Sequence, residues 1–297
     1  MSQTSDFIRK IFKEGDDIRD AGLTTPEDIV RFDDLCYGTD PQWQVLDVYR
    51  PAQAQGEKLP VIISIHGGGW VYGDKERYQF YCMNLAQHGF AVVNFTYRLA
   101  PEFQFPSSAE DTNLVAGWIM QHAEEYGLNT EHIFAVGDSA GGHLLSLYAA
   151  ICTNPDYARN YPFRVPDGFR LQAIALNCGA YDLTDPAKLD QDTIPIMQDL
   201  LPGGVTEESL AFVSSVLYIT EDFPPVFYMT CTGDFLKAQA PVLAEKLLEK
   251  NVTHEFHYFG STRGELGHVF HLNIRSEDAK ACNDQECAFF RRCLQDK

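Results

Sequence analysis

The chain has 297 residues, 45% of them hydrophobic and 12% aromatic, which is enough for a sizeable core and excludes a disordered chain. Its 23 Lys and Arg stand against 42 Asp and Glu, and the resulting formal charge of −19 repels polyanions, so neither nucleic acid nor an anionic membrane surface is expected as a partner. The apolar runs fall far short of the ~20 residues a membrane span needs, and MSQTSDFIRKIFKEGDD at the N-terminus lacks the apolar core of a signal peptide. A soluble, cytoplasmic protein is the expectation.

In chain order, residues 1–35 are charged and helix-like. From about residue 43 the apolar period alternates between two types. Runs rich in β-branched and aromatic residues predict strands at 61–65, 90–95, 132–136, 171–176, 225–230 and 254–259. Helical spacing lies between them at 78–88, 109–125, 140–152 and 241–250, and a closing helix is expected over 277–294. Fully apolar strands alternating with amphipathic helices predict a mostly parallel sheet covered on both faces. The stretch 180–222 breaks this rhythm. It mixes Asp, Pro, Gly and Leu, has helical patches of its own (193–201 and 207–217), and reads as a lid. The cysteines Cys36, Cys82, Cys152, Cys178, Cys231, Cys282, Cys287 and Cys293 form no C-x-x-C pair and read as reduced thiols, with no metal site expected.

In such a sheet ligands bind beyond the carboxyl ends of the strands, so chemistry-bearing motifs should follow strands directly. Gly137-Asp138-Ser139-Ala140-Gly141 is a G-x-S-x-G between a predicted strand and a predicted helix. Alone it arises by chance with a probability of roughly 0.06 in such a composition; the strand–turn–helix context makes it a nucleophile elbow with Ser139 at its tip. His66-Gly67-Gly68-Gly69-Trp70 follows the strand at 61–65. A glycine run there frees backbone N–H groups to point at a developing oxyanion. A phosphate loop competes for that run, but neither G-x-x-x-x-G-K-[ST] nor G-x-G-x-x-G occurs. His66 reads as a structural residue of its loop.

A serine hydroxyl needs a base, and the base an orienting carboxylate. In hydrolase sheets the chain order is Ser, then Asp or Glu, then His. Asp234 follows the strand at 225–230, and His268 lies in the loop after the strand at 254–259. His254, His257 and His271 compete for the base, Asp182 and Asp222 for the acid; His268 and Asp234 fit the strand-end positions better.

HGGGW, Tyr97-Arg98-Leu99-Ala100-Pro101-Glu102, GDSAGG, a Gly-Asp after a strand and a Gly-His near the end resemble the hormone-sensitive-lipase family of α/β-hydrolases, and within it bacterial acetyl esterases and carboxylesterases. The resemblance covers about residues 43–295. It implies a single α/β-hydrolase domain over 1–297, a helical cap from about 1–35 and 180–222, a Ser139–Asp234–His268 triad, and an oxyanion hole from the N–H groups of Gly68, Gly69 and Ala140. Relatives commonly read Asp-Pro-Leu-x-Asp-Glu at the acid loop, where this chain has Asp234-Phe235-Leu236-Lys237-Ala238-Gln239. The polar stretch 259–266 before Gly267-His268 is somewhat long.

The expected activity is serine carboxylesterase chemistry on a small-molecule ester, through an acyl-enzyme and without metal or organic cofactor, falling at acid pH because the base must be neutral. Trp70 and Tyr72, with Phe212 and Tyr218, are expected to wall a pocket for short, acetyl-like acyl groups. An amidase or arylformamidase on the same machinery and a non-catalytic hydrolase-fold binding protein are the alternatives. An exposed edge near the last strand would permit a homodimer.

Overall fold

In the computed structural model, which describes residues 2–185, 189, 193–260 and 265–295, the chain begins with helix α1 (Gln3–Asp20). Strands β1 (Ile29–Cys36), β2 (Val45–Pro51) and β3 (Leu59–Ile65) follow, then α2 (Lys75–Gln87), β4 (Ala91–Phe95), α3 (Ser107–Tyr126), β5 (Leu128–Asp138), α4 (Ala140–Thr153), α5 (Pro155–Ala158) and β6 (Leu171–Asn177). Helices α6 (Thr193–Leu200) and α7 (Glu207–Phe212) precede β7 (Val226–Cys231), α8 (Gln239–Glu249), β8 (His254–Phe259) and α9 (Glu277–Gln295).

The strands form an eight-stranded sheet in the order β1-β2-β4-β3-β5-β6-β7-β8, antiparallel at β1/β2 and β2/β4 and parallel elsewhere. Successive residues of a strand point to opposite faces. Val61, Ile63 and Ile65 of β3 pack with Ile119 of α3, Leu144 of α4 and Leu243 of α8. Ile62 points the other way, towards Met83 of α2 and Phe290 of α9. Both faces are covered, which is why the central strands are apolar at nearly every position. Fully burying each such side chain contributes about 1.5–3 kcal/mol.

The N-terminal third differs from expectation. The stretch 1–35 is not wholly a helical cap: α1 ends at Asp20, and Ile29–Cys36 is an edge strand of the sheet. Its partner β2 is buried although it carries Asp47 and Arg50. Asp47 lies 3.0 Å from the Lys75 ammonium and accepts the Tyr49 hydroxyl at 2.7 Å, and Arg50 donates to the carbonyls of Ala54 and Glu57. The second segment expected in a cap, 180–222, holds α6, α7 and a 3₁₀ turn at Ser215–Leu217, while residues 186–188 and 190–192 lie outside the described part. These two segments meet where the Ser2 and Ser5 hydroxyls donate to Asp199 at the end of α6.

Candidate active site

Ser139 stands between the last residue of β5 and the first of α4, with φ 49° and ψ −119°. A non-glycine residue in this region carries about 1–3 kcal/mol of strain, held by its surroundings. The turn has no room for larger neighbours. A Cβ on Gly141 would run into the carbonyls of Ile65 and His66, and one on Gly137 would meet the Gly141 carbonyl oxygen at 2.5 Å. The Ser139 N–H donates to the Asn177 carbonyl at 2.9 Å, tying the turn to the end of β6.

The glycine run lies beside this turn. Gly68, Gly69 and Trp70 all have positive φ (110°, 60° and 63°), so the chain winds tightly and the Gly68 carbonyl accepts the N–H groups of both Val71 and Tyr72. Gly67 donates its N–H to the Tyr78 hydroxyl at 2.8 Å, and that hydroxyl donates to Asp138 Oδ2 at 2.8 Å. Tyr78 thus joins the glycine loop to the residue before Ser139. Asp138 is buried, which pushes its carboxyl up to about 7 against the opposing effects of Tyr78 and the His268 charge. His66 stacks on Tyr97 at 4.0 Å and lies 2.8 Å through Nδ1 from the Gly67 carbonyl; burial lowers it to about 4. Ala140 opens α4, whose N-terminal end favours negative charge.

Asp234 and His268 are brought together. His268 Nδ1 lies 2.6 Å from Asp234 Oδ1, which also accepts the Leu236 N–H at 2.9 Å, while Oδ2 accepts the Thr230 hydroxyl at 2.6 Å. Burial pushes the Asp234 carboxyl up, but the hydrogen bond and charge of His268, with Thr230 and Leu236, outweigh it and leave the group below its ordinary value. An acceptor at Nδ1 fixes the tautomer, so Nε2 carries the lone pair. Nε2 is buried without a hydrogen-bond partner among the described residues. Ser139 Oγ is not hydrogen-bonded to it, a looseness common in free serine hydrolases. An imidazolium at His268 would favour the ionised form of Asp138, the neighbour of Ser139.

The loop carrying His268 is anchored at its C-terminal end although residues 261–264 lie outside the described part. Gly233 donates its N–H to the Leu266 carbonyl at 2.9 Å, Leu266 donates to Thr232 Oγ1 at 3.1 Å, and the Cys231 thiol donates to the carbonyls of Leu266 and Gly267. The loops carrying Asp234 and His268 are therefore stitched to each other.

The rivals take other places. His254 contacts the Val252 carbonyl, His257 stacks on Phe227, and His271 is wholly buried and lowered to about 3 by burial. Asp182 accepts the N–H and hydroxyl of Thr184, and Asp222 lines a separate cavity of about 300 Å³ with Arg170 and Glu221. Trp70 is buried, and its indole N–H donates to His143 Nδ1 at 3.1 Å. Tyr72 donates its hydroxyl to Asp16 of α1 and meets Phe12 edge-on. Phe212 and Tyr218 belong to an aromatic cluster with Tyr157. Ile196 of α6 lies over the glycine loop: a Cβ on Gly69 would touch its Cδ1 at 3.8 Å. Thr230, Tyr78, Asn177 and Ile196 escaped sequence reasoning because each is joined to the site through space rather than through a motif; only Asp138, inside G-x-S-x-G, carried a signal.

For metal, the described residues offer one grouping: Cys178 Sγ, an Asp234 oxygen and a His268 nitrogen, all within 4.8 Å of one another. The Asp234–His268 hydrogen bond already occupies two of the three. No helix among the described residues is long and apolar enough to cross a membrane.

The BD-FAE family model matches residues 46–247, spanning the glycine loop, the Ser139 turn and Asp234. The chain belongs to the BD-FAE family. Among curated relatives it is 32% identical over 212 residues to the carboxylic ester hydrolase LipM of Mycobacterium tuberculosis, an alignment covering 68% of this chain and 48% of LipM. It is 30% identical over 232 residues to the versiconal hemiacetal acetate esterase of Dothistroma septosporum, covering 71% of this chain and 69% of that one. The chain spans about half the length of the first curated relatives it matches, LipM and LipQ (48% and 47%). Among solved structures, esterase B from Lactobacillus rhamnosis superposes with a TM-score of 0.89 at 25% identity, covering 99% of this chain and 97% of that one. The architecture is that of α/β-hydrolase esterases of the hormone-sensitive-lipase type, as HGGGW and GDSAGG imply.

Proposed function

We propose that the protein is a serine carboxylesterase acting on short-chain acyl esters. The observation that carries this reading is the Asp234–His268 pair, 2.6 Å apart, with an unpartnered Nε2, in a fold that also holds Ser139 on a strained strand-to-helix turn. Relatives named as ester hydrolases support it.

The ester carbonyl sits with its oxygen towards the N–H groups of Gly68, Gly69 and Ala140. His268 Nε2 takes the proton of Ser139 Oγ as that oxygen attacks the carbonyl carbon. Asp234 holds the ring in the required tautomer and stabilises the imidazolium. The tetrahedral oxyanion is met by backbone donors, each typically worth about 2.7–4 kcal/mol of barrier. His268 then passes its proton to the alcohol oxygen as the acyl–oxygen bond breaks. Water, deprotonated by the same nitrogen, attacks the acyl-serine and releases the acid. Tyr78 keeps the glycine loop in register with the elbow, so that the donors need not reorganise when charge develops.

The short acyl preference rests on Ile196 above Gly69 and on the buried Trp70. The test is hydrolysis of p-nitrophenyl esters from acetyl to dodecanoyl, with an N-formyl arylamine alongside. The expected optimum lies between acetyl and butyryl. An optimum at octanoyl or beyond overturns the chain-length reading, and cleavage of the formamide with no ester turned over replaces the esterase by an amidase.

A further inference from the structure

Phe235 is 64% exposed, although a phenyl ring would normally be buried. The acid turn puts it there. Asp234 Oδ1 accepts the N–H of Leu236, two residues on, closing a tight turn in which Leu236 packs against the core. The intervening side chain is left outside. Its ring centroid lies 4.3 Å from that of His268, with the planes tilted by 44°, and His268 is the only aromatic ring it meets among the described residues.

We propose that Phe235 is the wall of a leaving-group subsite that takes aromatic alcohols, so that the favoured substrates are short-chain esters of benzylic or phenolic alcohols. This rests on the esterase reading above. The argument is positional. In ester cleavage the base returns its proton to the alcohol oxygen, so the alcohol portion must lie against the imidazole when the acyl–oxygen bond breaks. An exposed ring one residue from the acid and in contact with that imidazole is therefore beside the departing group rather than the acyl group. An aromatic alcohol seated there would meet the Phe235 ring in the offset or edge-on geometries that aromatic pairs favour, whereas an ethyl group would be too short to reach it.

The test compares kcat/KM on benzyl, cyclohexylmethyl and ethyl acetates for the wild type, Phe235→Ala and Phe235→Tyr. These esters share the acyl group, and the first two have leaving groups of similar size. The wild type is expected to favour benzyl over cyclohexylmethyl acetate. Phe235→Ala should lower the benzyl value by about 2- to 10-fold, the range of one aromatic pair, with ethyl acetate changed less than about 2-fold. Phe235→Tyr, which keeps the ring, should restore the benzyl preference. Equal loss on all three esters in Phe235→Ala overturns the subsite and makes the ring a positioning residue for His268; no change on any overturns both roles. A wild type inert on all three acetates sinks the esterase reading itself.

Discussion

Asn177 holds Ser139 by the main chain: its carbonyl accepts the Ser139 N–H at 2.9 Å. Its own side chain is held from below, donating at 2.6 Å to Oε2 of Glu286 on α9, whose Oε1 accepts the Tyr81 hydroxyl at 2.8 Å. The Ser139 turn is thus supported through the sheet by a fully buried carboxyl that forms no ion pair among the described residues. Burial pushes that group up to about 7, with Asn177 and Tyr81 opposing.

The first prediction concerns this carboxyl. Its folded value lies above its unfolded one, so the folded state binds the extra proton between about pH 4 and 7. Stability from this group is full below the unfolded value and is lost as pH rises through the folded one. Glutamine mimics the protonated form: its amide oxygen can accept from Asn177 while its amide N–H donates to the Tyr81 oxygen. Glu286→Gln should therefore gain on the wild type between pH 5 and pH 8, by about 1–3 kcal/mol in urea unfolding. A constant difference across that range would show that Glu286 does not titrate there.

Thr230 should matter more than an ordinary strand threonine. Its hydroxyl supplies one of the three hydrogen bonds to the Asp234 carboxylate. Thr230→Val keeps the shape and leaves a buried charged oxygen short of a donor, at a cost of about 1–3 kcal/mol. The Asp234 carboxyl should rise, weakening its hold on the imidazolium, so kcat should fall by about 10-fold with KM little changed. Unchanged kcat in a variant of lowered stability would make Thr230 a stabilising residue only.

His143 gives a prediction of opposite sign to Glu286. It accepts from Trp70 at Nδ1 and donates from Nε2 to the Val213 carbonyl at 2.7 Å, and burial lowers it to about 4. A folded value below the unfolded one means that its contribution is complete above the unfolded value and lost as pH falls through about 6.5 towards 4. His143→Phe should cost about 2–4 kcal/mol at pH 7.5, where Trp70 N–H and the Val213 carbonyl lose their partners. The deficit should shrink by pH 5; a deficit that widens in acid contradicts the assignment.

The parts of the fold that could be read from the chain are those where burial and polarity agree. β3, β4 and β6 are apolar on both faces and stand out by composition. β1 and β2 do not. β1 is an edge strand with Val30 and Phe32 exposed, and its pairing shifts between Phe32 and Leu35, so neither alternation nor an apolar run survives. β2 is buried, but the Lys75–Asp47 pair and the carbonyls around Arg50 satisfy polar side chains that look like a surface. At the site, the loops that follow strands announced themselves by glycine and by position. The groups that hold them did not: Tyr78 reaches Asp138 from 60 positions away, and Glu286 reaches Asn177 from 109, distances over which no spacing rule operates.

The most direct test of the whole account is mass spectrometry after treatment with an alkyl phosphonate ester, combined with p-nitrophenyl acetate hydrolysis by the wild type and Ser139→Ala. The account predicts a single phosphonyl adduct on Ser139 and complete loss of hydrolysis in the labelled protein. In Ser139→Ala it predicts no adduct at that position and a fall in kcat of about 10⁴-fold or more. An adduct on another residue, or substantial hydrolysis by folded Ser139→Ala, would contradict it.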